Sequence, residues 1–119
     1  MSVKRVVPNI SSNRVDESRD FFTAMFGFEV VMDMGWIVTL ASPCNPTAQI
    51  SVVRGETADP AGRDMTLSIE VEDVDEIHSR AIAQGRIVVY PLTNEPWGVR
   101  RFHVKDPNGV VINVLSHLE

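Results

Sequence analysis

Two stretches carry apolar residues at helical spacing. Phe21, Phe22, Met25 and Phe26 fall at i, i+1, i+4 and i+5, one face of a helix. Val74, Ile77, Ala81 and Ile82 mark a second such face. Asn13 is placed to cap the first helix, with Asp16 three residues on to return the bond; Asp73 and Glu76 form the corresponding box for the second. Gly27 and Gly85 suit the left-handed residue that ends a helix. Elsewhere the pattern alternates or runs β-branched. It predicts strands over 5–11, 28–32, 36–41 and 48–54, then 65–71, 87–92, 99–104 and 110–115. Gly35 precedes the third strand, and Asp106-Pro107-Asn108-Gly109 is a turn that joins the last two as a hairpin.

The order βαβββ therefore occurs twice. Val15-Asp16-Glu17 recurs as Val74-Asp75-Glu76, an offset of 59 in a chain of 119. Each copy opens a helix that ends at a glycine and leads into a β-branched run. Residues 55–62, rich in Gly, Ala, Asp and Pro, read as the linker. The expectation is one α+β domain of two modules, about 1–56 and 63–119, each an antiparallel or mixed sheet with one helix on a face. Two such curved sheets can enclose a cleft for a small ligand.

Composition narrows the partners. Eleven Lys and Arg stand against sixteen Asp and Glu, a net charge of −5. That excess of acid argues against nucleic acid, which needs clustered cations. The longest apolar runs are far short of the ~20 residues of a membrane span, and the N-terminus lacks the apolar core of a signal peptide. A cytoplasmic protein is expected. Cys44 is the only cysteine, so a disulfide within the chain and a multi-cysteine metal site are excluded. It lies in a Pro-flanked loop with no evident base, which disfavours a nucleophilic role. His78, His103 and His117 show no ligand-like spacing: His78 is on the second helix, His103 on the seventh strand, and His117 in a mobile terminus.

The segments SRDFFTAMFGFEV and WGVRRFHVKDPNGVVINVL, set in this repeat, resemble the vicinal oxygen chelate superfamily of glyoxalases, extradiol dioxygenases, fosfomycin resistance enzymes and bleomycin resistance proteins. The resemblance runs from about Val6 to Leu115 and implies that superfamily's fold. Its enzymes usually hold one divalent metal through His, Gln or Glu on the first, fourth, fifth and eighth strands. Carried over, these positions are Val7, Ser51, Thr66 and Asn113; Val7 and Thr66 are again 59 residues apart. None offers imidazole or carboxylate, so no metal or other cofactor is expected.

Strand parity then lists what lines the cleft: Val7, Asn9 and Ser11; Gln49, Ser51 and Val53; Thr66, Ser68 and Glu70; Val111, Asn113 and Leu115. This set is too polar for a packed interior and suits a ligand site. Trp36, before the third strand, and Trp97, in a Pro-Trp-Gly loop, add flat surfaces for stacking. Arg100 and Phe102 share a strand face and are expected to point inward beside Trp97, Arg100 as a donor fork. Either Arg100 or Arg101 must face solvent. The ligand-binding candidates are thus Asn9, Trp36, Ser51, Thr66, Ser68, Glu70, Trp97, Arg100, Phe102 and Asn113, with no catalytic residue among them.

The resulting expectation is a metal-free, homodimeric protein that sequesters a small aromatic or cationic compound, as bleomycin resistance proteins do. The homodimer is implied by the resemblance alone. The alternatives are a glyoxalase-like lyase or isomerase, or a dioxygenase, with an unrecognised metal site or acid–base chemistry through Glu70 or His103, and a protein whose cleft is vestigial.

Overall fold

The alternation of buried and exposed positions lays out each half. The computed structural model describes residues 2–55 and 65–118, in two units, Met1–Gly62 and Arg63–Glu119. The first contains β1 (Asn9–Ser12), α1 (Val15–Phe26), β2 (Glu29–Asp33), β3 (Ile37–Ala41) and β4 (Gln49–Arg54). The second contains β5 (Thr66–Glu70), α2 (Val74–Ala83), β6 (Val88–Asn94), β7 (Val99–Lys105) and β8 (Val111–His117). Each unit is a four-stranded mixed sheet, ordered β1-β4-β3-β2 or β5-β8-β7-β6. In each, first and last strands pair in parallel and the other pairs are antiparallel. The α+β class and the doubled βαβββ order are as the pattern predicts.

α1 packs on β3 and β4. Phe21, Phe22 and Met25 are fully buried there, with Ile10, Val38, Leu40, Ile50 and Val52 from the sheet. Phe21 and Phe22 meet edge-on at 5.1 Å, the geometry that aromatic quadrupoles favour. Burying each such side chain contributes roughly 2–3 kcal/mol. α2 packs on β6, β7 and β8, burying Val74, Ile77 and Ala81 against Phe102, Val104, Ile112 and Val114. His78 meets Phe102 edge-on at 5.0 Å.

Gly27, in the left-handed conformation (φ 72°), ends α1 as predicted. Asp73 caps α2 by accepting from the Glu76 amide at 3.3 Å. Three details differ from the sequence reading. Asn13 does not cap α1. The N-terminal residue is Arg14, which has no side-chain cap; its own amide donates to Ser12 Oγ at 2.9 Å, and Asp16 pairs with Arg19 instead. Ser12, buried beside Ser18, accepts the Arg14 amide in a turn ahead of the helix, so the helix starts at Val15 with Arg14, not Asn13, at its N-cap. Ile82 is 61% exposed, because α2 turns it past the edge of the face defined by Ile77 and Ala81. His117 is the last residue of β8, paired with Val99, and lies 3.0 Å from Glu70. Of the expected linker, only Gly55 lies within the described residues.

Candidate functional site

In each unit the sheet face turned away from the helix is polar, following the predicted parity. In the first, Asn9 of β1 stands opposite Ser51 of β4, and Ser51 opposite Thr39 of β3. Ser51 and Thr39 are buried and share a 2.8 Å hydroxyl bond. Trp36, just before β3, is exposed. A run of exposed apolar residues precedes it, Val30, Val31, Met32 and Met34, along the edge strand β2 and the turn after it.

The second unit gathers more chemistry. One row crosses all four strands: Ser68 on β5, Asn113 on β8, His103 on β7 and Tyr90 on β6. Asn113 donates from Nδ2 to Ser68 Oγ at 3.1 Å. Asn113 Oδ1 and His103 Nε2 are buried, and the two side chains interact across the β7–β8 pair. Burial first, and then the positive charge of Arg101, hold the His103 imidazole below the ordinary histidine pKa, against the opposing pulls of Glu95 and of the Asn113 side chain. The next row brings Glu70, Leu115, Arg101 and Thr93. Glu70 bonds His117, and Thr66 is exposed at the start of β5.

Arg101 organises the aromatic side of this face. Its guanidinium lies 5.1 Å from the centroid of Trp97 and 5.2 Å from that of Tyr90. The Tyr90 ring lies 4.9 Å from that of His103. Glu95, with its side chain 8% exposed, accepts from Arg101 at 2.8 and 2.9 Å and from Tyr90 Oη at 3.1 Å. Gly98, at φ 93°, closes the loop that presents Trp97.

Two expected members of the site lie on the other face. Arg100 reaches Asp75 of α2 at 2.9 Å and Asn94 at 2.9 Å. That bond, above all, holds the Asp75 carboxyl below its ordinary pKa. Phe102 is fully buried under α2. The reason is the length of the β7–β8 loop. A four-residue DPNG loop would set Phe102 opposite Asn113. The loop has a fifth residue, Val110, so Lys105 pairs with Val111 and His103 with Asn113. A shift of one residue exchanges the faces of a whole strand. Arg101 was therefore not among the ligand-binding candidates, and His103 entered only as an acid–base alternative; Tyr90 and Glu95, on β6 and the loop after it, were not singled out. The usable signal was Asp106, whose Oδ1 accepts from both Asn108 N and Val110 N at 2.8 Å and so encloses the fifth residue.

The positions at which the resemblance implies metal ligands do not fit a divalent ion. Val7 has no donor atom, the Ser51 hydroxyl is engaged by Thr39, Thr66 offers a neutral hydroxyl, and the Asn113 amide nitrogen is turned to Ser68. Neutral groups of this kind are weak ligands for such ions. Among the described residues, no three of His, Cys, Asp and Glu gather into a cluster.

A four-stranded mixed sheet with one helix, twice repeated, is the architecture of the glyoxalase and bleomycin resistance fold. The sequence profile of the Glyoxalase/Bleomycin resistance protein/Dioxygenase superfamily matches residues 4–114, and the chain belongs to that superfamily. TioX from Micromonospora sp. ML1 is similar in structure, with TM-score 0.76 and 25% identity over 98% of this chain and 100% of that one. A superfamily member from Sphaerobacter thermophilus gives TM-score 0.78 at 22% identity, covering 98% of both chains. The bleomycin resistance determinant encoded on the transposon Tn5 gives 0.78 at 16% identity, over 97% of this chain and 98% of that one. No curated protein matches the sequence. No helix among the described residues is long and apolar enough to cross a membrane.

Proposed function

We propose that this protein binds a small flat aromatic compound and holds it without making or breaking a bond, in the manner the name of the Tn5 resistance determinant suggests. One observation carries the reading: Trp97 stands exposed beside the polar row Ser68–Asn113–His103–Tyr90. A flat ring stacks on the open indole face, and the polar groups of that sheet face offer hydrogen bonds to its substituents. Of the aromatic and cationic ligands expected from sequence, the aromatic is favoured, because Arg101 already occupies one face of the indole.

The test is calorimetric titration of chelator-treated protein with flat heteroaromatic compounds that raise its melting temperature, alongside elemental analysis for metal. Binding survives chelation, and Trp97→Ala and Asn113→Ala each weaken it about tenfold, the ~1.4 kcal/mol of one lost contact. Stoichiometric retained metal with turnover, or unchanged affinity in Trp97→Ala, overturns the proposal. A second reading, acid–base catalysis, is supported by the place of His103 on this polar face, where burial lowers its pKa and so favours the neutral form that a general base requires. Turnover abolished by His103→Gln, with binding retained, supports that reading instead.

The proposal includes a homodimer, supported by the exposed apolar run from Val30 to Trp36 along an edge strand, and keeps the cytoplasmic location expected from the sequence. Light scattering on the purified protein tests the dimer.

A further inference from the structure

We infer that Arg101 makes the outer face of Trp97 a charge-selective surface, one that accepts neutral and anionic aromatic rings and disfavours cationic ones. The inference rests on the aromatic-binding reading and names the chemical class of its ligand. An indole face ordinarily attracts cations through its quadrupole. Here one face is already engaged: the Arg101 guanidinium lies 5.1 Å from the ring centroid. Trp97 is nevertheless 62% exposed, so its other side remains open to a stacking partner.

The guanidinium is fixed on every side that matters. Tyr90 lies 5.2 Å beneath it and His103 continues the stack at 4.9 Å. Glu95 takes two of its N–H groups, at 2.8 and 2.9 Å. Glu95 is itself held by Tyr90 Oη, and its amide donates to the Val99 carbonyl at 2.7 Å. The guanidinium is thus held against the indole, with the Glu95 carboxylate bonded to it. A ring stacked on the outer side of Trp97 sits roughly 8–9 Å from the guanidinium, about one screening length at physiological salt. A cationic substituent is repelled there, and an anionic one attracted.

The experiment compares three probes with one ring system: 2-naphthoate, 2-naphthalenemethanol and 2-naphthylmethylammonium. Binding to the full chain is followed by the ¹⁵N–¹H resonance of the Trp97 indole, assigned by its loss in Trp97→Phe. The charge test is the double variant Arg101→Gln with Glu95→Gln. It removes one charge of each sign, so the net charge of −5 and the long-range field are unchanged. The expected result is that naphthoate and the alcohol bind about five- to tenfold more tightly than the ammonium. That ratio falls to near one in the double variant, and in the wild type at high salt, which needs no variant to fold. Equal or tighter binding of the ammonium, with the indole resonance shifting, overturns the inference and leaves the aromatic-binding reading standing. If no probe shifts any resonance, that reading falls and the inference with it.

Discussion

Replacing Asp106 by alanine removes the acceptor that shapes the β7–β8 loop. Asp106 is 5% exposed and Val110 2%. The carboxylate takes the Val110 and Asn108 amides, each at 2.8 Å, and the Asn108 side-chain amide at 3.2 Å. In Asp106→Ala the buried Val110 N–H has no replacement partner, a cost of about 1–3 kcal/mol. The Asn108 amides are partly exposed and recover water, so they add little. A total near 2 kcal/mol is expected, roughly an 8 °C fall in Tm for a chain of this size. Asp106→Asn behaves differently. It keeps Oδ1 for both backbone amides and carries no charge. Burial pushes the Asp106 carboxyl up from its ordinary value, against the pull of the loop's hydrogen bonds. A folded pKa above the unfolded one favours the protonated form on folding. That contribution is complete below the unfolded pKa, near 3.8, and is lost as pH rises through the folded value. The wild type should therefore lose stability through that window relative to Asp106→Asn, which does not titrate. The assay is urea denaturation followed by circular dichroism from pH 3.5 to 7. If Asp106→Ala costs less than about 0.5 kcal/mol, or Asp106→Asn falls as far as alanine does, the loop is not held by this acceptor.

Three further outcomes are expected. Ser12→Ala, which deprives the Arg14 amide and Ser18 of a partner, costs about 1–2 kcal/mol in urea denaturation, whereas Asn13→Ala stays within ~0.5 kcal/mol. Phe102→Ala, which empties a fully buried site beside His78, costs about 3–5 kcal/mol by the same measurement. Because the folded pKa of His103 lies below the unfolded value near 6.5, its contribution is present above that value and is lost as pH falls through the folded one; His103→Gln should flatten that part of the stability–pH curve.

The helices, the repeat and all eight strands were legible because each rests on local spacing: Phe21 to Phe26, the two glycine stops, and the alternation over 49–54 and 111–115. Parity also placed Asn9, Ser51, Thr66, Ser68 and Asn113 on the faces away from the helices. Parity along one strand does not fix it against its neighbour. That register depends on loop length, and a single residue, Val110, moved Arg100 and Phe102 away from the face and brought Arg101 and His103 to it. The ion pair of Arg101 with Glu95 was similarly hidden, since it joins a strand to a loop whose path no periodicity encodes. The α1 start failed for a related reason: Ser12 turns the chain by accepting the Arg14 amide, which puts Arg14 rather than Asn13 at the N-cap.

The parallel pairing of first and last strands has a consequence for how the chain acquires its structure. Among the described residues, β1 pairs only with β4 and β5 only with β8; the paired residues Ser68 and Asn113 are 45 positions apart. Within each half, the antiparallel hairpins can zip locally, but the opening strand must wait for the closing one. On a ribosome, β1 stays unpaired until β4 has emerged, and β5 until β8 has. The first half can complete its sheet before the second half has emerged. A truncation that removes β8 therefore removes two strands from the sheet, because β5 loses the strand it pairs with.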